Sequence, residues 1–124
     1  MLISLTACQG GGGGQPVRVG ATQSGGTVHL TPGQSLEVLL ASNPTTGFSW
    51  SVDEMDTTVL TKTSSDYKPQ SQDPLVVGSG GHDEWRFTAI APGRTPLKMV
   101  YARTWESKQP ADTFELTVIV DQPK

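Results

Sequence analysis

The chain has 124 residues, a formal net charge of −3 and a single cysteine, with 35% hydrophobic and 17% charged residues. That length holds one domain around one core and not two. The mild acidity leaves no basic footprint for nucleic acid, and one cysteine excludes an intramolecular disulfide framework.

Residues 1–7, with Leu2, Ile3 and Leu5, are apolar but far too few to cross a bilayer. They read as the end of a signal-peptide h-region whose start lies upstream. Leu5-Thr6-Ala7-Cys8 resembles a bacterial lipobox, which implies that Cys8 becomes a lipidated N-terminus. Several acyl chains, at about 0.8 kcal/mol per buried CH₂, would hold it on a membrane surface. The expected location is then the bacterial cell envelope, lipid-anchored or otherwise periplasmic or extracellular. The alternative is a disordered N-terminus with an incidental cysteine. Residues 9–19 contain five consecutive glycines, Gly10 to Gly14, and read as a flexible linker. A nucleotide-binding glycine loop does not fit, because neither a lysine-serine/threonine pair nor a helical pattern follows.

From Val17 onward the signals are for strands. Thr27-Val28-His29-Leu30 alternates, then Pro32-Gly33 turns the chain. Leu36, Val38 and Leu40 predict a half-buried strand. Asn43-Pro44-Thr45-Thr46-Gly47-Phe48 follows as a constrained, polar-tipped loop. Pro44 fixes its own φ and biases Asn43 away from the helical region; Gly47 supplies a positive φ where the chain turns back. Phe48 and Trp50 anchor the loop in a core. By itself this stretch reads equally well as an ordinary turn. Residues 48–52 predict a strand, residues 59–63 a weaker one, and residues 64–74 a long polar surface connection. After the cluster Gly78-Ser79-Gly80-Gly81, Trp85, Phe87 and Ala89 fall on one strand face. Pro92-Gly93 is a turn, Leu97, Met99 and Tyr101 alternate, and Arg103-Thr104-Trp105 opens a loop running to about Ala111. Phe114, Leu116, Val118 and Val120 define the last strand. No window carries a helical period over ten or more residues. The expected fold is all-β, an immunoglobulin-like β-sandwich of about seven antiparallel strands with tryptophans and phenylalanines in the inter-sheet core.

Catalysis is not expected. Nucleophilic chemistry needs a base beside the nucleophile and a group orienting that base, and the chain has two histidines. His29 reads as a solvated strand residue. His82-Asp83-Glu84 is consecutive, so its three side chains cannot converge from one strand. Two histidines and a lipid-bound cysteine do not make a metal site, and no cofactor is implied. Binding is the stronger reading. In an immunoglobulin-like sandwich the loops carrying residues 43–48, 78–81 and 103–105 fall at one end, and Trp and Arg are enriched in binding hot spots. Trp105 folded back onto its own sandwich is the alternative there.

These three segments, in this order and spacing, resemble the signature loops of the chagasin-type cysteine peptidase inhibitors, over roughly residues 27–120. The third departs from the family's Arg-Pro-Trp by carrying Thr104 in place of proline. The resemblance implies an immunoglobulin-like inhibitor domain over residues 20–124; the lipobox and the glycine run make residues 1–8 a lipoprotein signal remnant and residues 9–19 a linker. It also implies a reversible, non-catalytic inhibitor of papain-like cysteine peptidases; a monomer is expected. Asn43, Pro44, Thr45, Thr46, Gly47 and Phe48 would enter the active-site cleft, with Thr45 and Thr46 over the catalytic pair. Gly78, Ser79, Gly80 and Gly81 would lie on the substrate-binding side, and Arg103, Thr104 and Trp105 on the opposite rim. A cell-surface ligand-binding or adhesion module on the same sandwich is the competing expectation.

Overall fold

The alternating apolar positions do become strands. The computed structural model describes residues 15–43, 47–69, 81–103 and 110–122; the expectations for Cys8, Pro44, Thr45, Thr46, Gly78, Ser79, Gly80, Thr104 and Trp105 lie outside them. Its elements are β1 (Val17–Gly20), a single 3-10 turn (Ala21–Gln23), β2 (Thr27–Leu30), β3 (Ser35–Ser42), β4 (Phe48–Met55), β5 (Leu60–Lys68), β6 (Gly81–Ala89), β7 (Gly93–Arg103) and β8 (Asp112–Val120). They form two four-stranded sheets, ordered β1-β3-β6-β5 and β2-β8-β7-β4. The 3-10 turn carries the chain from the first sheet to the second between two edge strands.

The sandwich is the expected all-β fold, with three differences in its strands. Eight strands are described rather than about seven, the addition being β1, whose Val17-Arg18-Val19 falls within the linker bounds of 9–19 although the strand signals already begin at Val17. The pairings β1–β3 and β2–β8 are parallel, and the remaining four are antiparallel. Residues 64–68, expected as surface connection, extend β5 and pair with β6 from Ser64↔Arg86 to Lys68↔His82. Nearly all of β5 after Leu60 is exposed, so backbone pairing defines it and no apolar pattern does.

Inward-facing residues fill the space between the sheets. Leu36, Val38 and Leu40 of β3, Phe87 and Ala89 of β6, Leu97 and Met99 of β7 and Phe114 and Val118 of β8 are all buried. Trp50 and Trp85 join the same cluster. Phe48 does not join it, contrary to its expected footing in the core. On the outer face of the first sheet, Glu37 of β3 accepts hydrogen bonds from Arg18 Nε of β1, at 3.2 Å, and from Arg86 of β6. This ties three strands together where they face water.

Candidate functional site: one rim of the sandwich

The register fixes which connections share an end. In the first sheet the last residue of β3 pairs with the first of β6, Ser42↔Gly81, and the end of β5 lies beside them, Lys68↔His82. In the second sheet Phe48 begins β4 opposite Arg103 at the end of β7, and Tyr101 pairs with Asp112 at the start of β8. Among the described residues, hydrogen bonds join the sheets at this end: the Asn43 N–H donates to Tyr101 Oη at 3.0 Å, and Trp50 Nε1–H donates to the Ala41 carbonyl at 3.0 Å. The strand ends flanking residues 44–46, 70–80 and 104–109 therefore form one rim.

Asn43, Gly47, Phe48, Gly81 and Arg103 all sit on that rim. Gly47 has φ +84°, in the region expected from the turn-back it makes and which L side chains avoid. Phe48 is half-buried and packs on the rim, not in the core. Its ring stacks on Tyr101 at 5.3 Å, and the Arg103 guanidinium lies 4.4 Å from the centre of the same ring, a cation–π arrangement. Trp50 packs on the same tyrosine at 5.0 Å from inside. The aromatic column Phe48–Tyr101–Trp50 thus runs from the rim into the core.

Gly81 is buried, and its lack of a side chain is a steric requirement. A Cβ there would come within 2.6 Å of the Lys68 carbonyl oxygen and 2.7 Å of Tyr67 Cε1. The glycine lets the Tyr67 ring close over the start of β6, and Tyr67 keeps 40% of its surface exposed.

Asp83, Ser42 and Tyr101 belong to the rim and were not singled out from the sequence as functional. Asp83 occupies the inward position next after Trp85, opposite Leu40 and Tyr67. Burial pushes its carboxyl above the ordinary value, against the opposing pull of the Ser42 hydroxyl, the Trp85 indole N–H and His82. Continuing the alternation Phe87, Trp85, Asp83 one step towards the loop is the signal that finds it. His82 and Glu84 lie on the other face, where Nε2 is 2.9 Å from Oε2. The three consecutive polar residues are therefore split between two faces, as the strand period requires. His29 is exposed at the far end, its Nδ1 3.2 Å from Asp121 Oδ2.

A rigid two-sheet frame presenting three connections on one rim is the build of a binding protein that works through loops. Comparison with known proteins makes the class specific. Residues 29–118 match the family model described as Chagasin family peptidase inhibitor I42. Amoebiasin-1 of Entamoeba histolytica is 33% identical over 94 residues, covering 76% of this chain and 89% of that protein. Chagasin of Trypanosoma cruzi is 28% identical over 93 residues, covering 71% and 82%. The crystal structure of the cysteine protease inhibitor EhICP2 from Entamoeba histolytica superposes with a TM-score of 0.71 at 20% identity, over 86% of this chain and 95% of that one. The chain belongs to the chagasin family, a family of peptidase inhibitors and not of enzymes.

Proposed function

We propose that this chain is a reversible inhibitor of papain-like cysteine peptidases whose three rim loops occlude the active-site cleft. The observation that carries the reading is the shared rim. Asn43, Gly47 and Phe48, Gly81, and Arg103 stand at the feet of three connections that begin and end on one side of the sandwich. The description of EhICP2 as a cysteine protease inhibitor supports the choice of target class.

The chemistry follows from what such a peptidase does. It attacks with a thiolate activated by a histidine. An inhibitor must cover that pair without placing a carbonyl in the line of attack. A loop bounded by Pro44 and by Gly47 at φ +84° loses little conformational freedom on binding, and it need not run extended through the cleft as a substrate does. In this reading Thr45 and Thr46 cover the catalytic cysteine and histidine. Gly78, Ser79, Gly80 and Gly81 let backbone approach the substrate-binding side closely. Arg103, Thr104 and Trp105 hold the opposite rim, with the tryptophan as a large apolar contact. Papain preincubated with the chain should keep its active-site thiol through iodoacetamide treatment and regain activity on dissociation. Alkylation at the rate of free papain would contradict the proposal.

The anchored, monomeric form belongs to the same reading. Cys8 carries the lipid, and the glycine run lets the rim reorient above the membrane. Replacing Cys8 by Ser should move the expressed protein from the membrane to the soluble fraction; unchanged partition would count against the anchor. The sheet edges support a monomer: β5 carries Lys62 and Lys68 with a bulge at Thr63, and β4 carries Asp53 and Glu54 with a bulge between Val52 and Glu54. Charges and bulges of this kind discourage edge-to-edge pairing.

A further inference from the structure

Tyr101 lies outside the three signature segments, and in the sequence it is one more alternating residue of a strand. In the structure its side chain and its main chain hold two different loops. Its hydroxyl oxygen accepts the Asn43 N–H at 3.0 Å, at the point where the chain leaves β3 for residues 44–46. Its carbonyl oxygen accepts the Ala111 N–H at 2.8 Å, closing the neck where the chain returns from residues 104–109 to β8. Its ring is held between Phe48 at 5.3 Å and Trp50 at 5.0 Å, so the hydroxyl has little freedom to point elsewhere. On the same rim the Arg103 guanidinium sits 4.4 Å from the centre of the Phe48 ring, which links the foot of the third loop to the foot of the first a second time.

We propose that Tyr101 is a positioning residue that fixes the 44–46 and 104–109 loops relative to each other. Its hydroxyl is then required for tight inhibition without itself touching the peptidase. The proposal rests on the inhibitor reading and adds to it a residue that the signature loops do not contain. The physical reason is preorganisation. Two loops that enter one cleft together bind well only if their separation is set beforehand, and any freedom between them must be lost on binding. The Asn43–Tyr101 bond crosses from one sheet to the other, so it restrains a degree of freedom that neither sheet's ladder controls.

Tyr101→Phe isolates the claim, because it keeps both ring contacts and the backbone bond to Ala111 and removes only the hydroxyl, and with it the acceptor for the Asn43 amide. The full chain and its Tyr101→Phe, Trp105→Ala and doubly substituted variants are compared as inhibitors of papain at a temperature where all are folded. Amide exchange at Asn43 is followed in the free proteins. The expected result is faster exchange at Asn43 and an inhibition constant weakened roughly three- to tenfold by Tyr101→Phe, the range of one lost hydrogen bond. The penalty should shrink when Trp105 is already absent, because the second loop then has less to gain from being held in place. A general loss of stability would not produce that dependence. An unchanged inhibition constant in a wild-type chain that does inhibit, or the same fold-loss with and without Trp105, overturns the positioning role. Failure of the wild-type chain to inhibit papain overturns the inhibitor reading instead, and the proposal with it.

Discussion

At Gly81 the side chain that is missing decides what the neighbouring strand can do. A methyl group there must displace either the Lys68 carbonyl, at 2.6 Å, or the Tyr67 ring, at 2.7 Å, and the carbonyl is held in the β5–β6 ladder. Gly81→Ala should therefore destabilise the protein by about 1–3 kcal/mol, as overpacking does, and should weaken inhibition because the displaced strand end carries residues 70–80. Thermal denaturation reads the first effect and titration of papain the second; an alanine variant that matches the wild type in both would show that the rim yields without consequence. Asp83 makes a prediction in pH. Its carboxyl titrates above the ordinary 3.8 because of burial, so the folded protein holds that proton more tightly than the unfolded chain. The stabilisation is complete below about the unfolded value and is lost as pH rises through the folded one. Asp83→Asn should accordingly be more stable than the wild type at neutral pH, by a margin that shrinks as pH falls towards 4. A margin that stays constant or grows on acidification would contradict it. Gly47 was legible in the sequence, since a glycine directly after a Pro-Thr-Thr tip and before Phe48 and Trp50 needs little else to suggest a turn. The alternation of β6 places Asp83, but the roles of Asp83 and Tyr101 were not legible, because what makes them matter is a partner outside their own strand: Ser42 and Tyr67 for one, Asn43 and Ala111 for the other.

Between elements the same contrast recurs. Strands whose inward face is apolar, β3, β6, β7 and β8, were readable because burial imposes a period of two on the sequence. Two of the four edge strands, β1 and the far part of β5, were not. β5 beyond Leu60 is solvated almost throughout, so Ser64-Ser65-Asp66-Tyr67-Lys68 carries no apolar alternation and reads as a loop. β1 is four residues beside a glycine run, and its partner β3 lies in parallel register, Val17↔Leu36 to Gly20↔Leu39. A parallel pair leaves no hairpin signal, since its two strands cannot be joined by a tight turn. The energetic consequence can be measured. Val19 of β1 is 3% exposed, and Arg18 bonds to Glu37 across the strand pair. A variant beginning at Gln15 should melt with the full chain. One beginning at Ala21, which loses β1, should melt roughly 5–15 °C lower, from the loss of one buried valine and four paired residues. Equal melting temperatures would mean that β1 contributes no stability, and an inhibitor domain taken to begin at residue 20 would then be complete.

For the whole molecule the sandwich is a frame, and the function is carried by what one rim presents. Both sheets contribute: β3, β5 and β6 bring residues 42, 68 and 81 to the rim, and β4, β7 and β8 bring residues 48, 103 and 112. The Phe48–Tyr101–Trp50 column roots that rim in the core. The order of three loop motifs was visible along the sequence because their residue types are unusual; that they share an end depends on the strand pairing. The measurement that bears most directly on the central claim is the inhibition constant of the full chain against papain, alongside Trp105→Ala. The account predicts reversible, competitive inhibition at or below micromolar concentration, weakened by about 2–4 kcal/mol in Trp105→Ala with the melting temperature nearly unchanged. No inhibition by the wild-type chain at micromolar concentration, against papain and several related peptidases, would contradict it.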